Sequence, residues 1–519
     1  MNPSVGDYLP DASETVPATI EPNEHLRRIA EALQLEGEAR NKAVSTIVLE
    51  VLKKRGQFYH IEGAPDFGTS LYFDHQTKVL ITVKSDHFKQ MVSDAFVLNR
   101  ASNVWRWTDK ALENASIGEG SIAIEPEAYW ASRPGSIYLS NGPGQLVRIT
   151  AKRAELVDNG TDGVLFPMGC TLKPWKVVQG ADPFETCTLF RNLNATANHG
   201  AVLAKLWAIS LPTNPKNKPP LVLAGTIGSG KTRYALGLAE LYGLPIDGRT
   251  IKIEEYGERD FWPILEAGGL AIVDNADTHA KWLADALASA STGIGQTKRK
   301  LYADSDLVKM RARSWIMITT ARPDAFAGDP GLADRLLVVR MDRRTGETRD
   351  GELSQEILRH RDAGLSWICE RLSEALEDTC EPPVNINKRH PDFAALAVKI
   401  GRAIGKETEA IKALTAAEND KSLFCLESDS LGSALLAQIR AQGEFKGVAS
   451  VLLQSMREHG HIDPESRLTA KGLGKRLEGL WPHIESVLGG HREKDRSGTW
   501  CYRIGHKKST HPPTGEMAP

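Results

Sequence analysis

The stretch Leu221-Val-Leu-Ala-Gly-Thr-Ile-Gly-Ser-Gly-Lys-Thr232 decides how this 519-residue chain is read. Leu221–Ala224 is a short apolar run that predicts a buried strand, and Arg233–Tyr242 has the pattern of a helix. Between them stands a complete G-x-x-x-x-G-K-T, in the strand-to-helix context that a phosphate loop requires. Glycine is needed there because consecutive backbone N–H groups must turn inward around a phosphate, where side chains would clash. The predicted cradle is Gly225, Thr226, Ile227, Gly228, Ser229, Gly230, Lys231 and Thr232. Lys231 places a cation on the β- and γ-phosphates, and Thr232 offers a hydroxyl to Mg²⁺ at a helix N-terminus. A glycine-rich turn that binds nothing would not need this spacing. The expectation is an ATP site with Mg²⁺ as cofactor.

Two further strands belong with it. Gly269-Leu-Ala-Ile-Val-Asp274 reads as a buried strand ending in a carboxylate, where a second Mg²⁺-coordinating group is expected. Thr232 and Asp274 are therefore the candidate metal residues. Asn275 follows, at a place where a glutamate often orients the attacking water; it holds a water but takes no proton, and Asp277 is the nearest other carboxylate. Trp315-Ile-Met-Ile-Thr319-Thr320 is a third strand, expected between the other two, with Thr320 as candidate phosphate or water contact. Gly331-Leu-Ala-Asp-Arg335 then predicts a short helix before another strand. Arg335 is read either as a charge that reaches a neighbouring subunit's nucleotide or as a partner of Asp334 or Asp329. The catalytic candidates are thus Lys231, Asp274, Asn275, Thr320 and Arg335.

This order of motifs, together with Asp285-Ala-Leu, Thr292-Gly293 and Arg299-Lys-Leu-Tyr302, resembles the AAA+ ATPases of phages, plasmids and integrated elements, close to superfamily 3 helicases. Such proteins commonly form the helicase half of primase–helicases. The resemblance covers about residues 184–343 and implies a ring, expected as a homo-hexamer, that hydrolyses ATP while moving on single-stranded DNA. Ala321 departs from the Asn that superfamily 3 often carries after the two threonines. The first 180 residues lack a paired Asp-x-Asp or metal-ligand cluster, so priming would come from a primase or polymerase partner.

Residues 298–313 hold six Lys/Arg and two Asp, a net +4 in a chain whose total is −2. Their alternation predicts a hairpin: Lys298, Arg299 and Lys300 on the outgoing strand, an Ala-Asp-Ser-Asp turn, then Lys309, Arg311 and Arg313 on the return. Lys298, Arg299, Lys300, Lys309 and Arg311 are the candidate DNA contacts, by analogy with the channel hairpin of superfamily 3 rings; a solvated charged hairpin is the alternative. Phosphate contacts of this kind position and do not select sequence. Residues 428–459 read as helix, and residues 467–508 carry ten Lys/Arg against four acids. The latter read as a helix over 469–480, a further turn over 482–488, a loop over 491–498 and a strand over 499–504, the outline of a winged helix that docks duplex DNA or a protein.

The expected architecture is a P-loop AAA+ core, a parallel sheet sandwiched by helices, with an N-terminal α+β domain and a C-terminal winged-helix-like domain. In residue numbers this is a disordered leader over 1–22, the α+β domain over 23–183, and the ATPase with a helical lid over 184–380. A helical linker over 381–430, the winged-helix-like domain over 431–508 and a disordered tail over 509–519 complete it. Tyr72, Phe73, Trp105, Trp107 and Tyr129 in the first domain suit core packing or base stacking. Six cysteines without C-x-x-C spacing suit buried or free thiols in a reducing cytoplasm, and neither a signal peptide nor a membrane span is expected. Helicase or translocase is the first function predicted. An ATP-switched ATPase that loads or remodels a nucleoprotein complex without unwinding is the alternative, and a metabolite kinase would leave Arg335 and the hairpin without a use.

Overall fold

The computed structural model describes residues 22–505 apart from 62–68, 194, 214, 216, 247–249, 254–256, 279, 294, 300–306, 323–329, 344–348, 384–385, 387–388 and 497. The expected leader up to residue 21, the tail, Lys300 and the hairpin turn lie outside the described residues. The chain divides into two compact units that do not follow its linear order. One comprises Met1–Glu127, Gly142–Gln145 and Val157–Thr171; the other comprises Ala128–Asn141, Leu146–Leu156 and Leu172–Pro519.

The first unit is built on a four-stranded sheet in the order Val79–Thr82, Leu71–Asp74, Gly56–Ile61, Ile122–Ile124. Helices Gly37–Arg55, Asp86–Phe96 and Asn103–Ile117 cover it, and Phe58, Tyr72, Phe88, Phe96 and Leu112 fill the space between. Tyr72 is fully buried and its hydroxyl donates to the Leu52 carbonyl at 3.0 Å. Trp105 is buried too, whereas Trp107 is 41% exposed. Core packing therefore accounts for Tyr72, Phe73 and Trp105.

The second unit contains the α/β nucleotide-binding fold. Its strands β1 (Leu221–Gly225), β2 (Thr250–Lys252), β3 (Leu270–Asp274), β4 (Trp315–Thr320) and β5 (Leu337–Met341) form one parallel sheet in the order β2-β3-β4-β1-β5. Continuous apolar strands are what a parallel sheet covered on both faces demands. The alternation along each strand separates two cores. Leu221, Leu223, Leu270, Ile272, Trp315, Met317, Leu337 and Val339 face one side, where they meet Tyr234, Ala235 and Leu238 of the phosphate-loop helix (Lys231–Tyr242) and Leu203, Leu206 and Trp207 of helix Asn198–Ser210. Val222, Ala224, Ala271, Val273, Ile316, Ile318 and Val338 face the other, against Phe261, Leu265, Leu283, Leu287 and Phe424. The sheet is thus sandwiched, as the sequence predicts.

Helix Asp350–Glu377 packs on the phosphate-loop helix through polar as well as apolar contacts. Arg233 donates to Glu240 at 2.9 Å and to Ser354 at 2.8 Å, and Ser354 donates to Glu240 at 2.9 Å. Further along, the buried Arg361 guanidinium donates to the carbonyls of Leu241 (3.1 Å) and Tyr242 (3.3 Å), which end the phosphate-loop helix. It also holds the carbonyls of Pro174 (3.0 Å) and Lys173 (2.7 Å). A helix end leaves its last carbonyls without partners, and here a single fork supplies them. Gly243, at φ +70°, is required twice over: the backbone is left-handed, and a Cβ would collide with the guanidinium.

Beyond the sheet, helices Pro391–Ala403, Glu407–Ser428 and Ser430–Gln442 lead to a three-stranded antiparallel sheet, Glu444–Val448, Trp500–Gly505 and His491–Lys494 in spatial order. Helices Ala449–Glu458 and Ala470–Leu488 pack against it around Leu452, Leu473, Leu477, Trp481 and Ile484. Three local expectations change. Residues 444–448 read as helix but form a strand, because Gly443 at φ +81° ends the preceding helix and Phe445 pairs with the remote Ile504. Residues 491–494 form a strand where a loop is expected. Helix 470–488 runs through Pro482, whose exposed position leaves the buried stripe from Leu473 to Leu488 intact. No helix among the described residues is long and apolar enough to cross a membrane.

His390 closes the turn before β5. It is buried, and its Nε2 lies 2.9 Å from the Arg335 carbonyl, which fixes the proton on Nε2 because a carbonyl only accepts. Burial pushes its pKa down from 6.5 to about 4, with the bond to Arg335 opposing.

Two measurements test this packing. Arg361→Met leaves several carbonyls without a donor and should lower stability by about 3 kcal/mol in urea unfolding of the full chain, with Arg361→Lys recovering only part. Because His390 binds a proton near pH 6.5 when unfolded and only near pH 4 when folded, stability falls as pH drops through that window. His390→Gln, which keeps an N–H donor but does not titrate, should flatten the acid limb of a thermal-midpoint profile between those values.

Candidate nucleotide site

All five strands point the same way, so their C-terminal ends share one edge, the edge at which ligands bind open α/β sheets. The register sets Met341 beside Gly225 and Thr320 beside Ala224, and brings Ile318 level with Val273. Gly225, Asp274, Thr320 and Met341 are therefore gathered by the sheet itself. Gly225 admits no side chain, since a Cβ would run into the Met341 carbonyl. Gly228 and Gly230 take φ +83° and +84°, left-handed values open to glycine at little cost. Around them the loop exposes Ile227 at its tip and buries Ser229.

Lys231 is buried and folds back on its own loop. Its ammonium donates to the carbonyls of Gly225 at 2.7 Å and Thr226 at 3.0 Å and to the Ser229 hydroxyl at 3.3 Å. Burial pushes its pKa down, and the carboxylates of Asp277 and Asp274 oppose that shift. A cation held by the carbonyls and a hydroxyl of its own loop stands where an anion would take it over.

One carboxylate oxygen joins three elements. Asp274 Oδ1 accepts from the Thr232 hydroxyl at 2.7 Å and from the Thr319 hydroxyl at 2.7 Å. Thr319 Oγ1 in turn accepts from the Asn275 backbone N–H at 2.9 Å. The donor set suits Mg²⁺: hard oxygens from a hydroxyl and a carboxylate stand together at a helix N-terminus. Among the described residues no group of three or more His, Cys, Asp or Glu gathers to hold a metal. An ion here would complete its shell with phosphate oxygens and water, as Mg²⁺ commonly does.

The remaining candidates are placed as follows. Thr319 touches Asp274, and Thr320, the phosphate or water candidate of the sequence, follows it. Thr320 donates to Asp277 Oδ1 at 2.8 Å, and the same oxygen accepts from the N–H groups of Ala321 (2.7 Å) and Arg322 (3.0 Å). Asp277 is thus occupied in ending β4. A signal for Thr319 was available: in alternation it shares a side with Trp315 and Met317, which face the phosphate-loop helix. Asn275 is exposed at φ +52°, a left-handed position that asparagine tolerates better than other residues with a side chain.

Arg335 is half-buried just before β5, at the N-terminal edge of the sheet. Five residues of strand, about 16 Å at 3.3 Å per residue, separate that edge from the phosphate loop of the same chain. Asp334, one of its two candidate partners in the sequence, lies 3.7 Å from Arg389, and Asp329 is outside the described residues. The basic tract does form an antiparallel ribbon, Gln296–Arg299 against Leu307–Met310. Its register pairs Thr297 with Lys309 and Lys298 with Val308. Arg311 is exposed just past the ribbon, and Arg313 and Arg311 lie near Glu266, whose pKa burial pushes up against their charge.

No curated protein matches the chain. Among solved structures it is similar to "SCCmec type IV Cch - active helicase" (TM-score 0.42, 12% identity, 84% of this chain and 90% of that one). It is likewise similar to "The A form apo structure of NrS-1 C terminal region-CTR" (TM-score 0.40, 12% identity, 89% of this chain and 99% of that one). Over residues 187–422, the segment that carries the phosphate loop, Asp274 and Arg335, the chain matches the family described as actinomycete integrative conjugative element replication protein.

Proposed function

We propose that this chain is an ATP-dependent DNA helicase or translocase of a mobile genetic element, acting as a homo-hexameric ring. The observation that carries the reading is the junction at Asp274 Oδ1. It ties the phosphate-loop helix to β3 and to the strand between β3 and β1, which is the arrangement a hydrolysing AAA+ core needs. The strand order β2-β3-β4-β1-β5 and the family match over residues 187–422 support it further.

In this reading ATP lies on the loop from Gly225 to Thr232. Lys231 leaves the carbonyls of Gly225 and Thr226 for the β- and γ-phosphates. Thr232 and Asp274 would hold Mg²⁺, which would supply positive charge to the phosphate oxygens. Thr319 keeps Asp274 oriented and reports its state to the Asn275 backbone. Asn275 orients water without taking its proton, and Thr320 with Asp277 sets the end of β4. Arg335 stands on the edge remote from its own phosphate loop, which favours a role at the next subunit's nucleotide.

The ribbon of residues 296–310 emerges between β3 and β4. Lys298, Arg299, Lys300, Lys309 and Arg311 would grip single-stranded DNA through phosphates. Residues 184–380 would form the ATPase with helix 350–377 as its lid, after an N-terminal domain over 23–183. The helix, strand and wing order from 430 to 505 supports a winged helix, with helix 470–488 offered to duplex DNA or a partner protein. Its work would be cytoplasmic, beside a primase or polymerase. Asn275 in place of a glutamate favours a second reading, a slow ATP switch that loads or remodels a nucleoprotein complex.

Adding single-stranded DNA should raise ATP turnover, and Lys231→Ala or Asp274→Ala should remove it; turnover unchanged in Lys231→Ala would overturn the site. The pair Lys309→Ala with Arg311→Ala should keep basal turnover and lose the stimulation. It should also lower the salt slope of single-strand binding by about 0.7 for each phosphate no longer neutralised. Failure of the wild type to unwind any loaded substrate while it still hydrolyses ATP would favour the switch. Mixing Arg335→Ala with Lys231→Ala subunits should restore part of the activity, since some interfaces then combine an intact loop with an intact arginine. Rings that form but never recover activity at any ratio would count against a trans role.

A further inference from the structure

Arg335 has a counterpart at the other end of the same strand. β5 runs beside β1 in parallel register, from Leu337 opposite Leu221 to Met341 opposite Gly225. The chain leaves β5 level with the start of the phosphate loop, and two residues later it reaches Arg343. That exit is held in place: the Thr196 N–H donates to the Arg340 carbonyl at 2.9 Å, and the Thr196 hydroxyl donates to Asp342 at 3.1 Å. Arg340 also pairs with Glu427 at 2.6 Å.

Arg343 is exposed, and its side chain lies beside the loop at Gly228. A methyl-sized atom built on Gly228 would sit 3.7 Å from Arg343 Nε and 3.9 Å from its Cγ. Gly228 is one of the two glycines at which the loop turns left-handed. The guanidinium is thus beside the part of the loop that closes around phosphate. It stands on the side of β1 away from β4, whereas Asp274 and Thr319 stand on the β3 and β4 side. No local sequence signal marks it, because Gly228 lies more than a hundred residues earlier.

We propose that Arg343 binds the phosphate chain of the nucleotide held by its own subunit. It would close the loop from the side opposite Mg²⁺ and make charge-assisted hydrogen bonds that a planar guanidinium can offer in pairs. The assignment rests on the proposed nucleotide site and adds to it a cis-acting arginine distinct from Arg335. Arg343 belongs to the loop's own nucleotide because the strand that delivers it is hydrogen-bonded to the strand that delivers the loop.

The test is direct binding of ATP and of ADP, with Mg²⁺, to full-length protein by calorimetry. Arg343→Ala should weaken ATP by roughly tenfold to a hundredfold, the usual span for a lost hydrogen bond between charged groups, whether or not ADP shares the loss. Arg343→Lys should fall between the two, since it keeps the charge and loses the fork. Equal ATP affinity in wild type and Arg343→Ala would overturn the role of Arg343 alone. A wild type that binds neither nucleotide would overturn the nucleotide site and this assignment together. In the wild type, phenylglyoxal labelling of Arg343 read by mass spectrometry should fall when ATP is added, with the exposed Arg106 as unprotected control. Equal labelling of Arg343 with and without bound ATP would also overturn it. Mixing Arg343→Ala with Lys231→Ala subunits should not restore wild-type ATP affinity, because each intact loop then lacks its own arginine; recovery would place Arg343 in trans and overturn the proposal.

Discussion

The nucleotide edge depends on the two hydrogen bonds that Asp274 Oδ1 accepts. A carboxylate oxygen taking two hydroxyl donors at 2.7 Å is a charge-assisted junction, stronger than a bond between neutral groups. It fixes the relative height of the phosphate-loop helix, the acid strand and the strand between them. Thr319 extends it, since the oxygen that donates its proton to Asp274 accepts the Asn275 N–H. A change in what Thr232 binds is thereby passed through one carboxylate and one hydroxyl to the main chain that follows β3. Thr320 and Asp277 make a second, separate set of contacts at the end of β4, so adjacent threonines serve different neighbours.

That edge is only as well placed as the layers behind it. The two faces of β1, β3, β4 and β5 give two apolar cores, and each of these four strands is packed on both faces. The phosphate-loop helix has a further restraint at its far end, where Arg361 holds its last carbonyls together with those of residues 173–174. Burying a guanidinium is costly, and it is tolerated because four carbonyls surround it.

How much of this was legible in the sequence follows from how far apart the partners lie. The phosphate loop is local, so its spacing alone announced its strand, its glycines and its helix. The acid strand was legible because an apolar run ending in Asp carries its meaning within a few residues. That Thr319 is the threonine on the Asp274 side was also open to reading, because alternation along β4 assigns each of the pair to a face. Residues 444–448 were not legible, since their pairing partner lies near residue 504 and a helix pattern surrounds them. Arg361 and Arg343 were equally silent: each meets residues more than a hundred positions away. Nor does local propensity tell that Pro482 sits on the exposed side of its helix.

Mechanically, β5 is a buried, five-residue rod, stiffened by its ladder to β1, with a cation at either end: Arg335 before it and Arg343 after it. A rod cannot shift lengthwise at one end only. β5 cannot slide without breaking that ladder, so in the proposed ring the register of five residues would set the spacing between the two arginines.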